Sequence, residues 1–311
     1  MAAEPTLAVL NVAPGARRDW AVRLCAATAD YWALTKPEVN FLILVTTFAG
    51  FYLAPGTVPG GFWILRIIYT LLGTLLVAGG TGTLNQFLER FFDAQMRRTA
   101  RRPVASGRIK SSHALWFGIS LSLAGTLYLA LAVSVLASLL ALVTLLSYLF
   151  LYTPLKRRTP LCTLVGAFPG AVPPLIGWAA ARGRLDPEAW VLYAMVFLWQ
   201  FPHFMAIAWM YREDYARAGY LILPLGELRN RFVIWQSVVI SLALIPLSLI
   251  PTISGKSGLV YFAGALMLGS MFFFCSARFA FRRSNVAARQ LLAASIVYLP
   301  AVFVLMILNK K

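Results

Sequence analysis

Long apolar runs, separated by short charged segments, set the rhythm of this chain. They lie near residues 39–55, 63–88, 113–131, 134–153, 161–180, 189–210, 232–250, 257–277 and 290–308. A spanning helix needs about 20 apolar residues to cross roughly 30 Å of hydrocarbon, and each run is of that order. From Ala114 to Leu155 no charged residue intervenes. As one helix that stretch would be about 60 Å long at 1.5 Å per residue, twice the membrane, so it must fold back. The turn is expected near Val133 and Ser134. The pattern thus predicts an all-α fold, a polytopic membrane bundle of nine transmembrane helices over residues 35–311. Before it, residues 1–34 form a segment read as cytoplasmic and interfacial.

Within that segment, residues 17–34 carry Arg17, Arg18, Trp20, Val22, Leu24, Tyr31 and Trp32. Basic residues beside large apolar ones predict a helix lying along the membrane surface. Residues 1–16 are mixed, with Pro5 and Pro14, and no apolar core follows Arg17 and Arg18 directly. That argues against a cleavable signal.

Composition narrows the class. The chain is 60% hydrophobic and 13% charged, with a mean hydropathy of +0.74. Soluble domains carry roughly 45–50% apolar residues and about 25% charge. Too little polar surface remains here to coat a water-soluble globule. The net charge of +17 would suit nucleic acid if it covered one face, but the basic residues fall in short loops between apolar runs. Membrane lipid, and no nucleic acid, is the expected partner. With the N-terminus inside, all but Arg66, Arg182, Arg184, Lys256, Lys310 and Lys311 of the 28 basic residues lie on one side. Positive loops stay in the cytoplasm. The basic loops, and any site among them, should therefore face the cytoplasm, in bacteria from the inner membrane. Cys25, Cys162 and Cys275 show neither metal-type spacing nor an even disulfide set, and read as small packing residues.

Only 11 acids occur, and two places gather five of them. Asn85, at the end of the second run, and Glu89, Asp93 and Arg97 beyond it recur at intervals of four. On a helix they stack along one face, with about 40° of drift per step. Hard oxygen donors on one face at the membrane border suit a divalent cation such as Mg²⁺, which keeps several waters and shares its shell with substrate phosphates. Arg97, Arg98, Arg101, Arg102, Arg108 and Lys110 lie close by, and Lys156, Arg157 and Arg158 follow the fourth run on the same side. Guanidinium forks bind phosphate oxygens bidentately. A metal-bound diphosphate would use such a set. For Arg98, Arg101 and Arg158 a solvated loop obeying topology is the plainer reading; for the Asn85, Glu89 and Asp93 set function is favoured, because ionisable groups at membrane depth are costly.

Glu213 and Asp214 follow the sixth run, with Glu227 further on, and would stand at the inner end of that helix. His203 lies two to three turns deeper. Alone, it suits hydrogen-bonded packing as well as ligand binding. Pro169, Gly170, Pro173, Pro174 and Gly177 break the fifth run. Irregular backbone at depth needs protein or a cavity beside it, so a kinked packing helix and the wall of an apolar cleft both remain open.

At this point the motifs resemble the UbiA-type intramembrane prenyltransferases, and within them the protoheme IX farnesyltransferase (heme O synthase) branch. The resemblance runs from about Leu34 to the last span. Its carriers are Leu34-Thr35-Lys36-Pro37, the run from Asn85 to Arg97 with Thr99, Arg102-Pro103 and Gly107-Arg108-Ile109. Others are Tyr152-Thr153-Pro154-Leu155-Lys156-Arg157 and the Pro173 to Trp178 stretch. Trp199-Gln200-Phe201-Pro202-His203-Phe204, with Asp214-Tyr215, Ala218-Gly219 and Leu223-Pro224, points to the heme branch. Glu89 and Glu213 stand where the family usually shows Asp, Glu38 where a basic residue is usual, and Tyr211 occupies a position of the fuller second aspartate motif. The first two keep an oxygen ligand on a longer arm.

The resemblance implies a UbiA-like fold, farnesyl diphosphate as donor, protoheme IX as acceptor, Mg²⁺ as cofactor, and a heme A synthase as a partner downstream. It implies Asn85, Glu89, Asp93, Glu213 and Asp214 as metal residues, with Arg97, Arg102, Lys156 and Arg157 on the diphosphate and His203 on the heme. Loss of diphosphate would leave an allylic cation, the heme vinyl group would attack it, and water would capture the product cation. Three rivals remain. A quinone-ring or chlorin acceptor would share the first cluster. A transporter would favour broken helices with midplane charge, whereas here the acids sit at one edge. A b-type cytochrome would need paired helix histidines beyond His113 and His203.

Overall fold

The computed structural model describes residues 14–56, 62–223 and 227–311. Thirteen α-helices follow one another there: α1 (Pro14–Leu34), α2 (Pro37–Leu53), α3 (Trp63–Asp93), α4 (Ser111–Ala132), α5 (Val135–Ser147), α6 (Thr153–Leu155), α7 (Cys162–Gly170), α8 (Pro173–Arg182), α9 (Pro187–Met210), α10 (Arg212–Arg217), α11 (Glu227–Ile253), α12 (Leu259–Arg282) and α13 (Asn285–Leu308). A π-helical turn, Tyr148–Tyr152, joins α5 to α6. No strand occurs among the described residues, where an isolated bridge pairs Ser257 with Lys310.

Among the described residues, eight helical segments are long and apolar enough to span a membrane: α3, α4, Val135–Leu155, Cys162–Arg182, α9, Ile234–Ile253, α12 and α13. The ninth expected span is α2, apolar but 17 residues long. The expected turn is borne out, since α4 ends at Ala132 and α5 begins at Val135. Ser134 caps α5 by accepting from the Ala137 amide at 3.1 Å. Leu131, Ile253 and Leu259 stand 87%, 77% and 80% exposed. In a chain this apolar, such surfaces face lipid.

Among the described residues, the two largest apolar cores share a helix. One joins α9, α11, α12 and α13 around Trp199, Phe272 and Tyr298. The other joins α3, α4 and α5 around Val77, Leu129 and Leu145. Helix α8 belongs to both, with Leu175 and Trp178 in the first and Ile176, Ala179 and Ala180 in the second. The broken fifth run is therefore packed on both sides, and its Trp178 also lines an apolar cavity of about 300 Å³. Its chain bends at Ala171 and Val172, before Pro173.

Membrane helices gain little by hiding apolar area from lipid, so association rests on close van der Waals approach through small residues. A Cβ on Gly177 would stand 1.9 Å from the Thr47 carbonyl oxygen, and one on Gly50 would stand 2.0 Å from that of Pro174. Thus α2 and α8 touch backbone to backbone. Gly80 and Gly125 do the same for α3 and α4, where added Cβ atoms would meet Ser122 and the Val77 amide. At the membrane end away from Asp93, Arg66 donates to the Ala180 carbonyl at 2.7 Å and the Val133 carbonyl at 3.0 Å. It thereby satisfies carbonyls that helix ends leave without partners.

Helix α1 is exposed over most of its described side chains, Trp20 and Trp32 included. Its C-terminal end is fixed by Gln86, which donates to the Ala33 and Leu34 carbonyls, and by an Asp30–Arg108 pair at 2.9 Å. Cys162 is buried and Cys275 half-buried, as packing residues should be, but Cys25 is exposed.

Gly177→Ala is expected to lower stability by about 1–3 kcal/mol through overpacking. Gly258→Ala, where the nearest atoms to a new Cβ are 3.7 Å away, should be neutral. Thermal unfolding of the two purified variants beside the parent checks this, and equal melting temperatures would contradict it.

Candidate active site

The end of α3 carries three oxygen donors inward. Asn85, Glu89 and Asp93 are 1%, 5% and 1% exposed. Buried carboxylates at a membrane edge demand compensation, and each donor meets a cation from a different part of the chain. Asn85 Oδ1 accepts from Lys36 Nζ at 2.6 Å. Glu89 Oε1 accepts from Lys156 Nζ at 2.7 Å. Asp93 takes Arg102 Nη1 on both oxygens, at 2.9 and 2.8 Å.

Local chemistry explains why those cations arrive. Lys36 sits between α1 and α2 in the left-handed region, φ 55° and ψ 61°, directly before Pro37. A non-glycine residue there is unusual and strained. Its side chain is half-buried as a whole while its ammonium end is enclosed. Burial, reinforced by the charge of Arg102, lowers the Lys36 ammonium to about 7, although Glu89 pulls the other way. Burial would likewise lower Lys156, but the Glu89 carboxylate outweighs it and holds that ammonium well above its ordinary value. Arg102 curls back because α3 ends at Asp93, whose carbonyl accepts from Thr99 Oγ1 at 2.9 Å.

The π turn delivers the segment opposite. Pro154 has no N–H to offer, and Thr153 N–H reaches the Tyr148 carbonyl five residues back. Thr153 Oγ1 donates to the same carbonyl at 2.9 Å and accepts from Asn85 Nδ2 at 3.2 Å. Lys156 then closes onto Glu89, with its Nζ 4.6 Å from the Tyr152 ring centre. The Lys156 carbonyl accepts from the Leu221 amide at 2.7 Å, which ties in the loop after α10. From that loop Tyr220 brings a buried hydroxyl near Glu89, without good hydrogen-bond geometry to it. Burial first, and the Glu89 charge second, raise the Tyr220 hydroxyl above its usual range.

The second acidic pair divides. Asp214 is 6% exposed; its Oδ2 accepts from the Arg98 amide at 3.2 Å and its Oδ1 pairs with Arg217. Glu213 is exposed. Asp214 thus reaches the loop five residues beyond Asp93, and Glu213 faces away from the buried oxygen set. Arg97 also departs from expectation. Because the helix stops at Asp93, Arg97 leaves the α3 face and stands exposed beside Glu213 and Asp214. Arg157 is exposed too, its guanidinium 4.3 Å from the Phe92 ring centre.

Deeper along α9, the His203 ring stacks on Trp199 with centroids 4.7 Å apart. Its Nδ1 lies 2.8 Å from Ser295 Oγ. That hydroxyl donates its single proton to the Leu292 carbonyl at 2.6 Å, so His203 Nδ1 must supply the proton between them. The lone pair is then left on Nε2. The Ser295 carbonyl also accepts from Trp199 Nε1 at 2.8 Å, so one residue of α13 holds both aromatic rings. His113, by contrast, is exposed at the start of α4.

Among the described residues no three of His, Cys, Asp and Glu lie close enough to cage a metal by themselves. The buried donor set still fits Mg²⁺ in kind, since two carboxylates and an amide oxygen share one face and that ion draws its remaining ligands from water and phosphate. Sequence reasoning passed over Lys36, Thr153 and Tyr220 as site residues. The first two lay inside noted motifs; Tyr220, just past Ala218-Gly219, gave no signal of its own.

Residues 43–303 match the sequence profile of the UbiA prenyltransferase family. A protein called protoheme IX farnesyltransferase in Solibacter usitatus is 48% identical over 289 residues, covering 90% of this chain and 98% of that one. Its namesake in Koribacter versatilis is 43% identical over 290 residues, covering 90% and 93%. Among solved structures, a digeranylgeranylglyceryl phosphate synthase superposes with a TM-score of 0.72 at 16% identity, covering 91% of this chain and 98% of that one. A UbiA homologue from Archaeoglobus fulgidus bound to DMAPP and Mg²⁺ superposes with a TM-score of 0.62 at 14% identity, covering 89% and 99%. Sequence and architecture agree: this chain belongs to the UbiA prenyltransferase family.

Proposed function

We propose that the chain transfers the farnesyl group of farnesyl diphosphate to a vinyl group of protoheme IX, giving heme O. The observation that supports this most is the buried face of Asn85, Glu89 and Asp93, met by cations from three segments, in a chain whose relatives carry that activity by name. Asn85, Glu89 and Asp93, with Asp214 behind them, would hold Mg²⁺, which when bound would draw charge from the diphosphate. Glu213, at the rim, would take part only through water.

The chain's own residues do the remainder. Lys36, Arg102 and Lys156 are held by the oxygens a metal would take, and are therefore placed to turn onto phosphate oxygens instead. Arg157 stands at the exposed margin for the outer phosphate. Preorganised cations around a leaving group stabilise charge as it develops, at little reorganisation cost. The bond between farnesyl C1 and the diphosphate oxygen breaks with its electron pair on the diphosphate. The vinyl π pair forms the new carbon–carbon bond, and water captures the resulting cation with loss of a proton, leaving a hydroxyethylfarnesyl group. Apolar walls keep bulk water from the first cation. His203, its Nδ1 proton spent on Ser295, offers Nε2 to the heme.

The site would face the cytoplasm from the bacterial inner membrane. Residues 14–34, as α1, would lie along the inner surface, and residues 35–311 would form the transmembrane domain; residues 1–13 of the expected interfacial segment lie outside the described residues. A heme A synthase is the natural partner to receive the product.

Asp93→Ala is expected to lower transfer at least about 100-fold, the scale seen on losing a preorganised charge contact, with membrane insertion intact. Mass spectrometry of heme after incubation with farnesyl diphosphate and Mg²⁺ reads this, and substantial residual turnover would count against the metal face. His203→Ala should weaken protoheme binding and move the Soret band of the complex; an unchanged spectrum and affinity would remove its acceptor role. Native Cys25, exposed on α1, should react with an impermeant maleimide in inside-out vesicles and not in intact spheroplasts. The reverse pattern would invert the orientation.

A further inference from the structure

A cavity of about 460 Å³ opens where the loop after α3 meets the end of α9 and the start of α13. Arg97, Arg98, Arg212 and Arg217 line it, with Glu213 and Asp214. Four guanidiniums face two carboxylates, which leaves two positive charges in excess. Of the four, only Arg217 is paired with an acid among the described residues, namely Asp214. The Arg98 guanidinium lies over the Tyr211 ring at 5.0 Å. Arg212 donates to the Trp209 carbonyl at 2.8 Å and to Asn285 Oδ1 at 3.0 Å, both neutral acceptors. Arg97 has no acidic partner among the described residues. Three forks held by neutral groups or none are poised for an anion.

We infer that this cavity takes the two carboxylates of the porphyrin acceptor. The inference rests on the acceptor reading above and adds where the acceptor's charged edge is held. Charge complementarity is one support, since the excess matches a dicarboxylate. The second support is position. Met210 lines the cavity and lies seven residues from His203, so the two share a face of α9 about 10 Å apart along its axis. Propionate arms can span such a distance from the centre of the ring that His203 would meet. The same two helices frame both points: α13 supplies Ser295 to His203 and Asn285 to Arg212. A diphosphate is the other anion with suitable chemistry. It is better served by the buried oxygen face, where Lys36, Lys156 and Arg102 already gather.

The test uses the full chain in detergent and two probes, protoheme and its dimethyl ester, in which the carboxylates are masked. Arg212→Gln removes the fork; Arg212→Lys restores the charge and guards against a folding artefact. For Arg212→Gln the protoheme Kd should rise about tenfold, the value of one charge-assisted hydrogen bond. The Kd for the dimethyl ester and that for farnesyl diphosphate should stay unchanged, and Arg212→Lys should recover part of the loss. Equal weakening for both porphyrins would overturn the inference, because it would show a structural role. Weakening toward farnesyl diphosphate alone would overturn it in favour of the donor. If the parent protein binds neither porphyrin, the acceptor reading itself falls and takes this assignment with it.

Discussion

Burying two carboxylates and an amide at a membrane edge is the constraint around which the inner end of this protein is arranged. Glu89 and Asp93 cannot remain charged there without partners, and α3 itself brings none to that face. Each partner therefore comes from elsewhere: Lys36 from before α2, Arg102 from beyond α3, Lys156 from beyond α6. The compensation draws together segments far apart in the chain. The groups that neutralise the site are also those a phosphate ligand would need, so stability and function make the same demand on these side chains.

Much of this was legible in the chain itself, and the exceptions have identifiable causes. The apolar runs marked the helices because hydrocarbon imposes a length, and the four-residue spacing of Asn85, Glu89 and Asp93 marked their common face. The same spacing misled at Arg97, because it assumed a continuous helix where α3 ends at Asp93, whose carbonyl turns to the Met96 amide and the Thr99 hydroxyl. Adjacent Glu213 and Asp214 could not be told apart by composition; a short helix turns one outward and the other toward Arg98. Lys36 was counted among topology charges because its role depends on an unusual backbone conformation that no spacing rule reveals.

The broken fifth run shows how one composition can serve two ends. Glycine, alanine and proline at membrane depth are compatible with a cavity wall or with tight helix contact, and only the neighbours decide. Here α2 approaches α8 so closely that Thr47 and Pro174 leave no room for a side chain at Gly177 or Gly50. That contact seats α2, and Lys36 directly precedes α2. Packing in the middle of the bilayer thus bears on an ammonium group at its edge.

The five-residue turn at Tyr148–Tyr152 has a consequence for the phase of the helix that contains it. Inserting one residue into an α-helix retards everything beyond it by about 100° of azimuth. Without that offset, Thr153 and Lys156 would be rotated off the face that meets Asn85 and Glu89. A single extra residue, made possible by an imino acid that cannot donate, works as an angular correction that aims a whole loop inward.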